Sequence, residues 1–290
     1  MCGGVSALVS ISVFHPIDVV KTRLQIQGEV ASRAYETKYT HILSSILSIH
    51  KYEGWKGVYR GITAAWALQI TVTGTRLCIY ETSKRALPPQ NTPLAANAQN
   101  FSLALFSGLC GALVGNPFYL IKSQAQNYST SPLLALGYQN PHGSLRASLR
   151  AIRRAEGVRG YWRDANAFLL RVMAYSAAQL SVFDAVKAKL GHPRTLAASL
   201  LASLCAALAG VAAMQPFDLV ASRMMNQPRR DGAGVYYSGV QDCFRKIWST
   251  EGPAGFYRGC LANASRVGPY TVTVLVLFDS MKKGAMERGW

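Results

Sequence analysis

Several acidic and basic side chains lie three residues apart within otherwise uncharged stretches of this sequence. Asp18 precedes Lys21 in this way, and the same spacing recurs at Glu81 and Lys84. Residues at positions i and i+3 share one face of an α-helix, so each pair would present an acid and a base to the same neighbour. No nucleophile with an adjacent base, metal-ligand cluster or phosphate-binding loop accompanies them. We therefore expect ion pairing between helices, and neither an enzyme nor a metal site.

The chain is apolar and basic at once. Of its 290 residues, 31 are Lys or Arg and 14 are Asp or Glu, giving a formal net charge of +17. Hydrophobic residues make up 50% and charged residues 16%, against roughly 25% charged in soluble domains. The hydrophobicity excludes disorder, and basic residues scattered singly argue against a nucleic-acid-binding surface. This composition favours a helical membrane protein whose positive charge lies near lipid headgroups or an anionic substrate.

Long stretches without formal charge indicate membrane-spanning helices. These stretches cover residues 1–17, 62–75, 86–121, 172–183, 195–217 and 267–278. A bilayer span needs ~20 mainly apolar residues, and the short stretches reach that length when extended across one charged residue. The sequence thus predicts an all-α membrane protein with six transmembrane helices, at roughly 1–29, 60–86, 101–127, 163–189, 197–225 and 258–284. No basic segment precedes the first stretch, so no cleavable secretory signal is expected.

One sequence unit occurs three times. Pro16, Pro117 and Pro216 lie about 100 residues apart, and each follows an uncharged stretch. The residues that follow read Pro-Ile-Asp-Val-Val-Lys at 16–21, Pro-Phe-Tyr-Leu-Ile-Lys at 117–122 and Pro-Phe-Asp-Leu-Val-Ala at 216–221. Glu-Gly follows later in each copy, at 53–54, 156–157 and 251–252. An acid and a lysine close each copy, at 81 and 84, 184 and 187, and 279 and 282.

With these three copies, the sequence resembles the mitochondrial carrier family over essentially its whole length. The resemblance implies one carrier domain over residues 1–290, with repeats at 1–90, 91–192 and 193–290. Each repeat would contain two transmembrane helices joined by a short helix on the matrix side. The three prolines would kink the odd-numbered helices and close one side of a central cavity.

The resemblance pairs each acid of an odd-numbered helix with the base of the next such helix. The predicted matrix gate consists of Asp18, Lys21, Tyr119, Lys122 and Asp218, with Gln25 and Gln126 as bracing glutamines. The implied bridges are Asp18–Lys122 and Asp218–Lys21. Tyr119 replaces the third acid, and the corresponding base is also absent, so no buried charge is left unpaired. The Tyr119 hydroxyl is still able to form a hydrogen bond.

The cytosolic gate is expected to contain three complete bridges. These are Glu81–Lys187, Asp184–Lys282 and Asp279–Lys84. Three bridges against two predict that the matrix gate is the weaker one and that the resting protein prefers its cytosol-closed state. Both closed states must lie within a few kcal/mol of each other, so that substrate binding switches between them.

Arginines inside the apolar helices are the candidate substrate ligands. Arg171 and Arg266 precede acids of the cytosolic gate by the same number of residues, so they share depth and orientation near the membrane midplane. Arg76 lies nearer the cytosolic end, at the level of Gln179, and Gln69 adds a polar group on the second helix. With no further acid beside them, these arginines predict an anion, because arginine binds carboxylate or sulfate oxygens in a bidentate manner.

Lipid contacts are implied by the same resemblance. Cardiolipin is expected at the N-termini of the matrix helices, where amide dipoles and basic residues meet phosphate. The predicted lipid-binding residues are Gly239, Arg60, Gly61 and Gly259, and we expect at best one well-formed site, near residues 239 and 60. His15 is interpreted as a packed or hydrogen-bonded histidine close to the matrix gate.

Shorter stretches such as 116–122 and 266–269 resemble the oxaloacetate/sulfate-type carrier branch. This implies an antiporter of the mitochondrial inner membrane that moves oxaloacetate, malonate, sulfate or a related dicarboxylate by alternating access. The alternatives are a carrier of citrate, another tricarboxylate or a pathway intermediate, and a carrier-like membrane adaptor without transport. The peroxisomal membrane is the alternative location. We expect a monomer that needs no cofactor and binds no nucleic acid.

Overall fold

The computed structural model describes residues 2–29, 39–88, 93–141, 143–191, 196–230, 232–267, 269–270 and 273. The helices and strands are α1 (Cys2–Ile26), α2 (Ile42–Val58), α3 (Ile62–Ala86), α4 (Pro93–Asn127), α5 (Leu145–Glu156), a 3-10 turn (Val158–Trp162), α6 (Ala165–Lys189), α7 (Leu196–Asn226), β1 (Arg229–Arg230), β2 (Ala233–Gly234) and α8 (Val240–Gly255). β1 and β2 form a small antiparallel hairpin. Residues 260–267 are helical.

Five of the predicted transmembrane helices correspond to α1, α3, α4, α6 and α7, which confirms an all-α membrane protein. α4 begins earlier than predicted, at Pro93. Most of the sixth helix, predicted at 258–284, lies outside the described residues. By length and composition, the segments Gly4–Ile26, Ala98–Asn127 and Leu200–Asn226 are apolar enough to cross a membrane. α3 and α6 are less apolar because they carry arginine, glutamine and glutamate or aspartate side chains.

The odd-numbered transmembrane helices meet one another inside the bundle. These are α1, α4 and α7, the first, third and fifth transmembrane helices, and they contact each other pairwise. The even-numbered transmembrane helices lie beside them: α3 packs against α4, and α6 packs against α7. Small residues allow these close approaches. A Cβ atom added at Gly111 would lie 2.9 Å from the Val72 carbonyl oxygen, and one added at Gly210 would lie 2.8 Å from the Tyr175 ring. Gly111 on α4 and Gly210 on α7 thus allow α3 and α6 to pack closely against these helices.

The three short helices α2, α5 and α8 share one feature at their C-terminal ends. Gly54, Gly157 and Gly252 have φ angles of 69°, 70° and 68°, a left-handed region that favours glycine over residues with a Cβ. Each of these glycines follows the glutamate of its repeat. The backbone therefore bends at the same point three times and directs the chain into the next transmembrane helix.

Candidate functional site: the matrix gate and the cavity above it

Two ion pairs join the odd-numbered helices at the predicted matrix gate. Lys21 of α1 pairs with Asp218 of α7, and the Lys122 Nζ of α4 lies 3.1 Å from the Asp18 Oδ2 of α1. The Asp218 side chain is fully buried, and the Asp18 side chain is 7% exposed. The structure thus contains both pairs that the sequence predicted, and they hold α1 to both of its odd-numbered neighbours.

Tyr119 occupies the position where the third acid is missing. Its hydroxyl donates a hydrogen bond to the Asp218 Oδ1 at 3.3 Å. Its ring stacks on Phe168 of α6 with centroids 4.1 Å apart. The side chain therefore fills the third position of the gate by packing and by hydrogen bonding to a neighbouring acid.

The two predicted substrate arginines also contact the gate acids. The Arg171 Nε lies 2.7 Å from the Asp218 Oδ1, and the Arg266 Nε lies 3.2 Å from the Asp18 Oδ1. No acid apart from those of the gates was expected beside these arginines, and the acids that pair with them are the gate acids Asp218 and Asp18. Sequence spacing did not reveal these pairs because they join residues of different helices, whose separation depends on how the helices tilt towards one another.

The matrix gate therefore has more ion pairs than the two that were predicted. Its described charges are the cations Lys21, Lys122, Arg171 and Arg266 and the carboxylates Asp18 and Asp218, which form four ion pairs. Each carboxylate is shared by one lysine and one arginine. The cluster carries a formal charge of +2. The matrix gate was predicted to be the weaker one because it had only two bridges, and with four ion pairs this argument no longer applies.

The two bracing glutamines differ in what they contact. The Gln25 Nε2 donates to the Asp218 Oδ2 at 2.7 Å, and the Gln25 Oε1 accepts from the Ser222 hydroxyl at 2.7 Å. Gln126 instead accepts a hydrogen bond from the Thr22 hydroxyl at 2.9 Å, and its Nε2 has no hydrogen-bond partner among the described residues. Gln25 thus braces its ion pair as predicted, whereas the predicted bracing of the other pair by Gln126 is absent.

A cavity of about 610 Å³ lies next to the gate. It brings together all five predicted substrate-binding residues, Gln69, Arg76, Arg171, Gln179 and Arg266. Tyr175, Tyr270 and Asn263 also line it and were missed, because uncharged polar residues are not conspicuous in these helices. A second cavity of about 550 Å³ shares Arg76 and continues to Asp184. The geometry offers a site for an anion, and its occupancy by substrate stays a prediction.

The predicted cytosolic gate is not closed at the pair that the structure describes. Glu81, Lys84 and Asp184 are exposed, and the described residues include no ion pair between Glu81 and Lys187. Asp279 and Lys282, which would complete the other two bridges, lie outside the described residues. The second cavity opens between α3, α4 and α6 at the cytosolic end. The helices that carry the gate charges are therefore apart here, and we expect these charges to meet only when the cytosolic end closes.

Comparison with known proteins fits this arrangement. The sequence matches the family described as "Mitochondrial carrier protein" over residues 1–91, 95–194 and 192–289. The chain belongs to the mitochondrial carrier family. Members of this family are membrane transporters and not enzymes.

Individual relatives cover nearly the whole carrier. Mitochondrial citrate transporter E of Aspergillus niger is 33% identical over 98% of this chain and 92% of its own length. Mitochondrial oxaloacetate transport protein of Saccharomyces cerevisiae is 31% identical over 98% of this chain and 88% of its own length. Solute carrier family 25 member 35 of Mus musculus is 31% identical over 97% and 96%, respectively. The carrier is similar to all three.

His15 of the carrier takes part in a hydrogen bond that recurs in each repeat. Its Nε2 lies 2.9 Å from the Arg60 carbonyl oxygen, and it is fully buried. Asn116 and Gln215, which also precede the prolines of their repeats, donate to the carbonyl oxygens of the equivalent arginines, Arg163 at 3.4 Å and Arg258 at 2.9 Å. Asn116 also donates to the Tyr161 carbonyl oxygen at 2.7 Å. The interpretation of His15 as a hydrogen-bonded histidine is confirmed, and this bond requires a proton on its Nε2.

A second set of ion pairs ties the short helices to the carrier's odd-numbered helices, and the sequence reasoning missed it. Arg23 pairs with Glu53 at 2.6 Å, and Arg223 pairs with Glu251. Burial alone would raise the pKa of the Glu53 carboxyl, but the hydrogen bonds from Arg23 hold that pKa below its ordinary value. The sequence contains a pattern that could have predicted these pairs. Arg23 and Arg223 each lie two residues after the position of the gate lysine in their repeats, whereas Gln124 stands there in repeat two.

Contacts printed for the described residues do not join the predicted lipid-binding residues Gly239 and Arg60, and their grouping stays a prediction. The Arg60 guanidinium lies 4.7 Å above the Tyr128 ring of repeat two. The β1–β2 hairpin that leads to Gly239 contacts repeat two instead, through Arg229 and Asp164 at 2.7 Å. Repeat one thus contacts repeat two at Arg60, and repeat three contacts repeat two at Asp164. Gly61 and Gly259 have φ angles of 80° and 81°; lipid binding at any of these positions stays a prediction.

Proposed function

We propose that this carrier exchanges a small divalent anion, such as oxaloacetate, malonate, sulfate or a related dicarboxylate, across the mitochondrial inner membrane by alternating access. One observation carries the proposal: four buried or half-buried cations share two carboxylates at the base of the cavity, leaving a formal charge of +2. Buried charge is costly unless it is compensated. A divalent anion would neutralise this cluster.

The contacts suggest how binding would open the gate. A substrate carboxylate that reaches Arg171 takes the place of Asp218, and one that reaches Arg266 takes the place of Asp18. Each aspartate would keep its lysine, but the gate would lose two of its four ion pairs. A ligand shifts a conformational equilibrium only by binding one state better than the other. Here the substrate would do so by competing with the gate's own acids.

The relatives support this class of substrate and this location. Two of them are named as mitochondrial transporters, one of oxaloacetate and one of citrate. Oxaloacetate carries two carboxylates, which matches the two arginines that hold gate acids. Both names place the proteins in mitochondria, and a multi-pass carrier there would lie in the inner membrane.

Citrate is a second candidate because of Arg76. This arginine lines the same cavity as Arg171 and Arg266 and is exposed to it. No ion pair of Arg76 is present among the described residues, so it is able to bind a third carboxylate. Arg76 therefore distinguishes the two candidates. A dicarboxylate needs only Arg171 and Arg266, whereas a tricarboxylate would also bind Arg76.

The test is uptake of labelled oxaloacetate, malonate, malate, sulfate, citrate and ATP by reconstituted liposomes. We expect the wild type to exchange the divalent anions, and Arg171→Ala or Arg266→Ala to reduce uptake at least tenfold, which corresponds to about 1.4 kcal/mol. Each aspartate keeps its lysine in these variants, so no carboxylate is orphaned. Lys189→Ala, an exposed change at the end of α6, is the matched control and should transport normally.

The outcomes separate the candidates. Arg76→Ala should leave malonate exchange largely intact if the substrate is a dicarboxylate. Citrate uptake that requires Arg76 would favour the tricarboxylate alternative. ATP as the transported anion would contradict both, and folded protein that moves none of these anions would favour the adaptor alternative over transport.

A further inference from the structure

The three short helices of this carrier differ most on their exposed faces. Aligning them at Glu53, Glu156 and Glu251 places four exposed positions of each helix in correspondence. On α2 these positions hold Leu43, Leu47, His50 and Lys51; on α8 they hold Gln241, Arg245, Trp248 and Ser249; on α5 they hold Arg146, Arg150, Arg153 and Arg154. The pseudo-symmetry of the carrier is therefore broken by four arginines in repeat two.

These four arginines form one stripe. Their spacing corresponds to i, i+4, i+7 and i+8, which covers about 100° of a helix surface. The opposite face of α5 is buried through Ser148 and Ile152. We call Arg146, Arg150, Arg153 and Arg154 the arginine face.

No acid of the described residues neutralises the arginine face. The one carboxylate on α5, Glu156, pairs with Arg163 of the loop before α6. None of the four arginines has an ion pair or ring contact in the described part of the chain, and Arg159 on the adjoining 3-10 turn is exposed as well. The stripe is thus a concentrated positive surface that attracts an external anion.

The corresponding faces of the other two repeats indicate where this surface lies. Leu43 is 71% exposed, Leu47 is 60% exposed and Trp248 is 64% exposed. Exposed leucine and tryptophan side chains on short helices beside membrane spans are typical of the membrane interface, where aromatic rings sit at headgroup level. By the pseudo-symmetry of the repeats, the arginine face lies at the same depth.

We propose that the arginine face of α5 binds the phosphate groups of anionic phospholipids and attaches repeat two to the matrix leaflet. Guanidinium groups bind phosphate oxygens in a bidentate manner, and basic residues at this depth are drawn to the negative leaflet surface. The site is separate from the lipid positions predicted at Gly239, Arg60, Gly61 and Gly259. It also lies outside the transport cavity, so it does not depend on the identity of the substrate.

The test compares unfolding temperatures in phosphatidylcholine vesicles with and without phosphatidylglycerol. The test variant carries Arg146→Gln, Arg150→Gln, Arg153→Gln and Arg154→Gln. The matched control removes four exposed charges elsewhere, through Lys56→Gln, Arg85→Gln, Lys189→Gln and Arg230→Gln. Both lower the net charge equally. A cooperative unfolding transition in pure phosphatidylcholine verifies that each variant is folded.

We expect phosphatidylglycerol to raise the unfolding temperature of the wild type and of the control, and at least half of that rise to be lost in the test variant. High salt should remove the same part of the rise, because the interaction is electrostatic. Equal losses in both variants would overturn the proposal, since net charge alone would then explain the effect. A rise of equal size caused by inorganic phosphate in neutral vesicles would also overturn it, because the ligand would be a soluble anion.

Discussion

The two ends of the helix bundle use the same kinds of charged residues but differ in how they are paired. At the matrix gate, Asp18 and Asp218 are buried, and each holds a lysine and an arginine. At the opposite end, Glu81 and Asp184 are exposed, and Glu81 does not reach Lys187. One end is thus a shared cluster, and the other is a set of separate charges facing an open cavity.

This difference shows where the substrate site acts. Arg171 and Arg266 belong to the cavity and to the matrix gate at once, so anything that binds them also alters the gate. The cytosolic gate has no such shared arginines among the described residues. Substrate binding in this conformation is therefore expected to release the closed end directly.

The largest expected difference in transport activity comes from exchanging the acid and the base of one ion pair at each end of the bundle. Asp18→Lys combined with Lys122→Asp should abolish exchange, because the new lysine faces Arg266 without a carboxylate between them. Losing the partner of a buried charge costs about 3–5 kcal/mol. Glu81→Lys combined with Lys187→Glu should retain most activity, since that pair is shared with no arginine in this structure. Malonate uptake by liposomes measures both.

Equal activity of the two reversed-pair proteins would contradict the proposed difference between the matrix gate and the cytosolic gate. It would mean that Arg266 does not depend on Asp18 and that the two gates are simple rings of the same kind. The single changes Asp18→Lys and Glu81→Lys serve as references, because each should be less active than wild type.

A smaller effect is expected from the two glutamines that flank the gate. Gln25→Leu removes one hydrogen bond to the Asp218 carboxylate and one from Ser222, and hydrogen bonds to charged groups contribute about 1.5–3 kcal/mol. Gln126→Leu removes one neutral bond from Thr22, whose hydroxyl also bonds the Asp18 carbonyl. That loss should be about 1 kcal/mol. Thermal unfolding of the purified protein should rank the two variants in this order.

A reversed order would indicate that Gln126 braces the Asp18–Lys122 pair in solution. Equal stabilities would show that the carboxylate bond of Gln25 adds nothing beyond a neutral one. Either result would sharpen the account of how the two lysine bridges differ.

The sequence predicted the repeats, five of the long helices and both lysine bridges of the matrix gate. The repeats and helices followed from charged residues and prolines that are conspicuous in apolar stretches, whereas the pairing of the bridges followed from the resemblance to mitochondrial carriers. The residues of the cavity followed from the same reasoning, since Arg171 and Arg266 stand at equivalent depth.

The sequence did not predict which groups from different helices touch. The pairs Arg171–Asp218 and Arg266–Asp18 depend on helix tilt, and Arg60 meets Tyr128 because of the order of the repeats around the bundle. Neither property is encoded in spacing along a single helix. Gln126 was likewise assigned by its position after the proline, whereas its contact with Thr22 depends on side-chain packing.

The competition between substrate and gate acids is tested most directly by binding, not by transport. Asp18→Asn and Asp218→Asn each remove a carboxylate that holds an arginine, with little change of shape. Asp184→Asn, an exposed acid at the opposite end, is the matched control. Malonate affinity is measured by titration calorimetry on the purified protein.

If the substrate competes with the gate acids, both gate variants should bind malonate at least tenfold more tightly than the wild type, about 1.4 kcal/mol, although their exchange rates fall. The Asp184→Asn protein should bind malonate as the wild type does. Unchanged or weaker malonate binding in the two gate variants would contradict the account, because the arginines would then not be held back by Asp18 and Asp218.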